Sequence, residues 1–546
     1  MFLLSLITML TSLMFLLMGT NMFLKNTFIY IQISMLKFLF MNMPISLIMD
    51  WISCMFMSTV MMISSMILLF SLYYIPKNEQ NQFSLMLIMF VLSMGILILS
   101  NNLFMMLLGW DMLGMSSYIL VTFYQNHSSS SSGSITLLSN RMGDIFILLS
   151  ISILMSQSMW ELNMNEKFTL ITLMMLMLAS CTKSAQFPFS AWLPMAMSAP
   201  TPISALVHSS TLVTAGIFLM IRISSNNHPM TLLTLMMISS ITAIYASMSA
   251  NWEQDMKKII ALSTLSQMAM MMFAISISSS SLAYFHMITH AFFKSLMFMC
   301  AGTLIHESSY QDMRTMSMNN PNIPSIMTTM GMTNMALMGL PFTSGYFSKD
   351  MIIEKMISSK LECMLTLMMI TSIGMTASYS LRMMFLSNKS MIKHNMDLQN
   401  HSNNYSNMPI MTMTPMTILL GTSLLWMMNP EQMLIFPKNF KMLIMMMLSI
   451  GILIGILLSF KSKLYKSMGQ MSIALWSIHF ISTKIMLIST PYMKWFFLND
   501  KNWQEMYGPK KSHQKTIMLS YMPEMSKSSS MMFMIMISLT PLLFMM

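Results

Sequence analysis

His286, His290 and Lys294 stand four residues apart within the stretch 283–294. On a helix each such step turns by about 40°, so the three side chains stack on one face over two turns, about 6 Å apart. Imidazole titrates near neutral pH and both gives and takes protons, which makes this a ladder suited to proton relay. A packing explanation would need three independent coincidences. A second candidate is Lys183, at the head of Lys-Ser-Ala-Gln-Phe-Pro-Phe (183–189) and followed by Trp192, Pro194, Pro200 and Pro202. Prolines this dense, Pro188 included, break a helix, and broken backbone at membrane depth is tolerated only where it lines a cavity or is buried in protein. The charge of a desolvated lysine can be switched by moving a neighbouring carboxylate, so the run reads as an ion site. His208 follows, one turn beyond Ser204. It suits the relay, and it equally suits a satisfied core histidine.

Further charges lie where an apolar chain should avoid them, each costing at least about 2.5–3.5 kcal/mol at mid-membrane unless it has a partner, water or a task. Asp111 sits within Gly109–Tyr118, deep in an apolar stretch. Arg141 and Asp144 are three apart and can share a helix face; they read either as a structural ion pair or as part of the ion path. Lys349 and Asp350 end a second interruption, Gly-Leu-Pro-Phe-Thr-Ser-Gly (339–345), whose breakers are Pro341 and Gly345. Being adjacent, these two charges point in different directions on a helix and form no simple face pair. Asp255, Lys257 and Lys258 open a span and are open to an interfacial reading, and Arg382 closes the set. Two broken segments in corresponding places are the sign of a transporter built from repeats.

The elements that must position these groups are membrane helices. Of 546 residues, 55% are hydrophobic and 9% charged, and the mean hydropathy is +0.63, whereas a soluble domain carries about 25% charged residues. Soluble, disordered and collagen-like classes are excluded, and the apolar segments lack the short period-two alternation of a membrane barrel. The expected class is all-α and polytopic, with about 14–16 transmembrane helices at roughly 20 residues each. Residues 28–49, interrupted by Lys37 and Pro44, read as a re-entrant or extracellular segment or as a helix. Ser128–Ser132 and 394–407 read as loops. The chain divides into N-terminal helices (1–100), two repeat regions (101–255 and 256–390), C-terminal helices (391–460), a basic amphipathic segment (461–528) and a terminal span (529–546). The amphipathic segment carries Trp476, Trp495 and Trp503 and suits an interface.

Net charge is +11, and much of it lies in that segment, which points to a membrane surface or anionic headgroups; no nucleic-acid motif is present. Methionine, 86 of 546 residues, exceeds anything lipid contact selects and suggests translation by an organellar code, a reading that Met codons confined to ATG would reject. Residues 1–24 lack the marks of a signal or transit peptide, so the first apolar run is expected to be a retained span. Cys54, Cys181, Cys300 and Cys363 sit singly in apolar stretches, which suggests buried thiols, with neither a metal site nor a disulfide framework expected. Without a GxGxxG, a P-loop or an iron–sulfur cysteine array, the redox chemistry driving any pump is expected elsewhere. Two rival readings use the same residues: a stand-alone cation/proton antiporter, and a haem-binding redox subunit with His208 and His286 or His290 as axial ligands. A scaffold role is a third.

The blocks 109–121, 140–144, 183–222, 255–271, 286–306 and 339–350 resemble the chain 5 family of mitochondrial NADH-ubiquinone oxidoreductases. These are antiporter-like membrane subunits of respiratory complex I, similar in turn to subunits of multisubunit sodium/proton antiporters. The resemblance implies two inverted five-helix repeats, each with a broken helix, joined by a central hydrophilic axis, and a mitochondrial inner-membrane location. It matches Asp111 and Lys183 to the paired acid and lysine of the first repeat, with Asp111 standing where many relatives have glutamate. His208, His286, His290 and Lys294 match the central relay, and Lys349 and Asp350 the charges of the second broken helix; Arg141, Asp144, Lys258 and Arg382 are supporting charges. It implies NADH, FMN, iron–sulfur clusters and ubiquinone in partner subunits and none in this chain. Neighbouring antiporter-like subunits would lie along a lateral helix, with phospholipids such as cardiolipin as candidate ligands.

Overall fold

Long apolar runs with internally bonded backbones can only be helices in lipid, and the computed structural model is built that way. It describes residues 1–38, 41–156, 161–162, 168–224, 228–314, 324–358, 363–389, 404–427, 438–460, 466–473, 478–504, 508–520 and 532–537. Two compact units result, Met1–Trp476 and Ser477–Met546.

The first unit opens with α1 (Phe2–Lys25), the strands β1 (Ile29–Phe38) and β2 (Met41–Met49), then α2 (Trp51–Tyr74), α3 (Gln80–Leu99), α4 (Leu103–Val121) and α5 (His127–Ser156). The first broken helix follows: α6 (Leu170–Lys183), α7 (Trp192–Met195), then α8 (Thr201–Ile203) running through a π-helical stretch, Ser204–Thr211, into α9 (Leu212–Ile223). After α10 (Pro229–Trp252), α11 (Met256–Ser276) and α12 (Ser280–Ser308) comes the second broken helix, α13 (Pro324–Met338) and α14 (Ser344–Ser358). The unit closes with α15 (Cys363–Lys389), α16 (Asn404–Met427), α17 (Lys438–Phe460) and α18 (Lys466–Ile473).

Among the described residues twelve helices are long and apolar enough to cross a membrane, against the expected 14–16. The broken helices account for part of the shortfall: α6 in the first, and both α13 and α14 in the second, are too short to span, whereas α8–α9 counts as a single span of 23 residues. The region 350–385 holds two helices, α14 and α15. Of the expected terminal span only 532–537 is described, and it is helical; the rest lies outside the described residues.

The helices lying wholly inside the protein are α8–α9, α11 and α12, with α1, α16 and α17 at the periphery. Buried helices rich in Ser and Thr survive because their hydroxyls bond back to their own helix, as Ser263 does to the Ile260 carbonyl and Thr264 to that of Ala261, both at 2.7 Å. Both ends of α2 are pinned. Asp50, its N-cap, shares a capping box with Ser53 and pairs with Arg222 at the end of α9 at 2.5 Å; at the other end Tyr73 meets His306 Nδ1 of α12 at 3.1 Å.

The helical class holds, and two local expectations fail. The segment read as re-entrant, extracellular or helical instead forms the one antiparallel hairpin among the described residues, β1–β2, paired from Ile29↔Met49 to Phe38↔Met41 with an irregularity between Ser34 and Leu36. Its alternation is masked because both faces are largely apolar, yet Ser46 and Ile48 are buried while Ile29, Ile31 and Ile33 are exposed. Tyr30 ties the hairpin to the Glu161 carboxylate. The serine run 128–132 is helix, not loop. Ser129 accepts from the Asn126 amide at 2.9 Å and donates to its carbonyl at 2.8 Å, and Ser130, Ser131 and Ser132 each donate to the carbonyl three residues back. Of the expected 394–407 loop, 404–407 is the start of α16 and the rest lies outside the described residues.

The second unit contains α19 (Ile478–Leu498), a π-helical turn over Asn499–Gln504 and a helix at Pro509–Ser520. Pro491 is accommodated inside α19, whereas Pro509 opens a new helix, its missing N–H being harmless at that position. Pro523 lies outside the described residues.

Candidate functional site

The first cluster gathers where α6 stops. Ala185 at φ 55° turns the chain, the Gln186 amide bonds back to the Cys181 carbonyl at 2.9 Å, and Trp192 Nε1 donates to the Thr182 carbonyl at 3.0 Å. The last residue of α6, Lys183, is fully buried. Its Nζ donates to the Trp110 carbonyl at 2.7 Å and lies 4.1 Å from the centre of that indole. Pro188 lies in the break; Pro200 and Pro202 instead cap and start α8.

Asp111 is not paired with Lys183. Its carboxylate lies 3.5 Å from Arg141 Nη1, which also reaches Asp144 at 3.2 Å. The aspartate arm is one methylene short of the glutamate of many relatives, and the partner in reach is the guanidinium on α5. Asp144 shares that guanidinium and lies on the turn of α5 that packs against the end of α6. α5 comes this close because Gly143 packs on Thr182, where a Cβ would meet Thr182 Oγ1 at 2.2 Å.

From Lys183 the buried polar groups run inward. His208, in the π-helical stretch, lies 6.2 Å from the Trp192 ring, and neither of its nitrogens has a partner among the described residues. The rings of His286 and His290 are 6.2 Å apart, matching the spacing read from the sequence. His286 is held by Ser348 Oγ at Nδ1 (2.8 Å) and by Gln267 Oε1 at Nε2 (3.2 Å); among the described residues His290 has no partner at either nitrogen. Lys294 donates to Ser263 Oγ on α11.

The second cluster lies at the junction of α13 and α14. Gly339 adopts φ +82°, which favours glycine, and Pro341 follows. Gly345 is not part of the break: it lies in the first turn of α14, where a Cβ would meet the Ala336 carbonyl at 1.9 Å. Its role is close approach of the two half-helices. Lys349 Nζ donates to the Leu337 carbonyl across that junction, and Asp350 shares a hydrogen bond with Tyr346.

The supporting charges divide. Lys258 pairs with Asp255 at 2.7 Å, both partly exposed, as the interfacial reading expects. Lys257 is buried, with Nζ 3.2 Å from the Ala199 carbonyl just before α8, so it belongs to the interior. Arg382 donates to the Glu253 carbonyl at 2.8 Å and so caps the end of α10. Glu253 itself lies in the α10–α11 turn, where burial holds its carboxyl above the ordinary value despite the nearby charges of Lys258 and Arg382.

Sequence reading missed Trp110, Ser263, Gln267, Ser348 and Tyr379, whose hydroxyl lies 3.5 Å from Ser266, and read Lys257 only as interfacial. The available signal was the spacing of Ser263, Ser266 and Gln267, which marks a polar stripe on an otherwise apolar helix.

Comparison with known proteins gives the same architecture a family. Residues 100–376 match the family described as NADH:quinone oxidoreductase/Mrp antiporter, TM, and 379–546 that described as NADH dehydrogenase subunit 5 C-terminus. The NADH-ubiquinone oxidoreductase chain 5 of Anopheles quadrimaculatus is 38% identical over 91% of this chain and 90% of that protein. The chain belongs to the NADH-ubiquinone oxidoreductase chain 5 family. The chain 5 protein of Lumbricus terrestris is 37% identical over 85% of this chain and 84% of that one. Among solved structures, the Mrp complex from Dietzia sp. DQ12-45-1b shares the fold of this chain 5 relative with a TM-score of 0.74 at 18% identity, over 95% of this chain and 61% of that one. An archaeal respiratory membrane complex, the membrane-bound sulfane sulfur reductase, does so with a TM-score of 0.67 at 16% identity, over 84% and 93%.

Proposed function

We propose that the chain is the proton-translocating subunit of a respiratory NADH:ubiquinone oxidoreductase, set in the mitochondrial inner membrane. The observation that carries this is the file of buried titratable side chains, Lys183, His208, His290, His286, Lys294 and Lys349, lying inside the protein on the helices between and within two broken segments. Asp144 and Asp111 supply the movable negative charge beside Lys183, so a shift of either carboxylate changes the lysine's hold on its proton. Polar atoms without partners at His208, His290 and Gln267 favour water along the file, because buried polar groups require hydrogen bonds. NADH, flavin, iron–sulfur and quinone chemistry then belongs to companion subunits, whose work reaches this chain as an electrostatic displacement. The half-exposed Arg141–Asp111 pair, midway along α4 and α5, favours a neighbouring membrane subunit over that face, since lipid would not tolerate it. A haem at His286 is disfavoured because both of its nitrogens are already engaged.

The test is the ratio of protons moved to NADH oxidised in sealed vesicles holding the whole complex. Lys183→Ala and Lys294→Ala should each depress that ratio strongly with assembly intact, and His290→Ala less, because water can replace an imidazole in a relay. Unchanged pumping in both lysine variants would leave a scaffold role. Sodium exchange by the purified chain alone would favour a stand-alone antiporter.

A further inference from the structure

His286 is wired at both ring nitrogens, and the wiring has two settings. Nδ1 lies 2.8 Å from Ser348 Oγ on α14, Nε2 lies 3.2 Å from Gln267 Oε1 on α11, and all three residues are buried. The Gln267 oxygen only accepts, so Nε2 carries a hydrogen; a neutral ring then accepts at Nδ1, and the serine is the donor. An imidazolium has hydrogens on both nitrogens, so the serine must accept instead. Its own hydrogen then needs another acceptor, because a buried donor left unpaired is costly. One is in place: the Gly345 carbonyl, on the same helix, lies 3.4 Å from the same Oγ. His290 has no comparable partners at either nitrogen among the described residues.

We propose that the Ser348 hydroxyl is a two-position switch on His286, donating to Nδ1 while the ring is neutral and turning to the Gly345 carbonyl when the ring takes a proton. The relay's proton ends on Nδ1; the serine keeps its own hydrogen and only rotates about its Cβ–Oγ bond. Ser348 is thus a positioning residue. The turn engages the Gly345 peptide, which packs on Ala336, and Ser348 itself stands one residue before Lys349, which bonds across the same junction to Leu337. Charge arriving on α12 is thereby registered at the second helix break.

This inference deepens the proton-translocation reading and rests on it. The test follows proton pumping across the neutral pH range by the whole complex in sealed vesicles, with Ser348→Ala, Ser348→Thr and Lys349→Ala. Ser348→Ala should lower coupled pumping about tenfold and move the midpoint of its pH profile by about one unit, the scale of one hydrogen bond to a charged group. Ser348→Thr, which keeps the hydroxyl, should restore both. Should the alanine variant not assemble, Ser348→Cys, a weaker donor of similar size, should give an intermediate profile. A Ser348→Ala profile (or a cysteine one in its place) that superimposes on the unsubstituted protein, or a threonine variant that assembles and falls as far as alanine, overturns the switch. If Ser348→Ala is silent while Lys349→Ala stops pumping, the switch fails and the conduit stands; if Lys349→Ala also pumps normally, the conduit itself fails.

Discussion

Replacing Gly345 by alanine tests whether the contact between α13 and α14 sets the second cluster. The added Cβ would lie 1.9 Å from the Ala336 carbonyl oxygen and 2.9 Å from its carbon, against an ordinary contact of 3.4 Å or more. The half-helices must part by 3.4 − 1.9 = 1.5 Å, and the obstacle is backbone, which no rotamer change can clear. Overpacking of this kind costs about 1–3 kcal/mol. The functional cost is larger, because the Lys349 bond to Leu337 spans the same junction and a displacement of about 1 Å in a positioned group costs about 100-fold. Gly114→Ala is the control: nothing lies within 4 Å of its Cβ, and alanine gains about 0.8–1 kcal/mol of helix propensity. Protons moved per NADH oxidised, measured in assembled complex, should collapse for Gly345→Ala and stay level for Gly114→Ala. A Gly345→Ala complex that assembles and pumps at the unsubstituted ratio refutes the argument.

At the first cluster, Gly143→Ala should push α5 away from Thr182 and lower the thermal midpoint of the complex, and Thr182→Ala in the same chain should recover most of the loss; a double-mutant cycle without coupling would contradict this. Tyr30→Phe removes the hairpin's bond to Glu161, worth about 1.5–3 kcal/mol with a charged acceptor, and should speed hydrogen exchange over 29–49 while α11 and α12 stay protected. In the turn beyond α12, burial of Asp312 opposes its charge, but hydrogen bonds and the charge of Arg314 outweigh it and hold the carboxyl below its ordinary value. A lowered acid stabilises the fold above its unfolded value, near about 4, and that contribution vanishes as pH falls through the folded value. Asp312→Asn should therefore cost at most about 1 kcal/mol at neutral pH, less in high salt, and nothing in strong acid, read from thermal midpoints against pH. Glu253 has the opposite sign: its raised carboxyl favours folding at low pH and opposes it as pH rises through the folded value, so Glu253→Gln should stabilise at neutral pH and make no difference in acid.

Helix-bearing runs, both breaks and the four-residue ladder were legible because each depends on a local rule: apolar length, proline and glycine chemistry, and helical period. What escaped depends on side-chain reach between elements distant in the chain. Asp111 and Lys183 look like partners by type, and nothing in the order of residues announces that Arg141 stands between the acids. Gly345 reads as a breaker until Ala336 is seen against it. Lys257 and Lys258 are neighbours of one type, and only the start of α11 decides that one faces inward to Ala199 and the other outward to Asp255. The hairpin escaped because alternation is visible only when one face is polar, and the serine run because its hydroxyls cap and back-bond rather than compete with the helix.

The stretch Ser204–Thr211 winds one residue too many into its turns. The widened turn absorbs that residue, so the helix on either side keeps its phase, and the proline-rich entry at Thr201 and Arg222 at the far end keep their aim. The cost falls on the backbone, and Ser209, Ser210 and Thr211 meet it by donating their hydroxyls to the Ala205 and Leu206 carbonyls. Deleting one residue there would leave both ends in place and draw tight the loosened turn that carries His208.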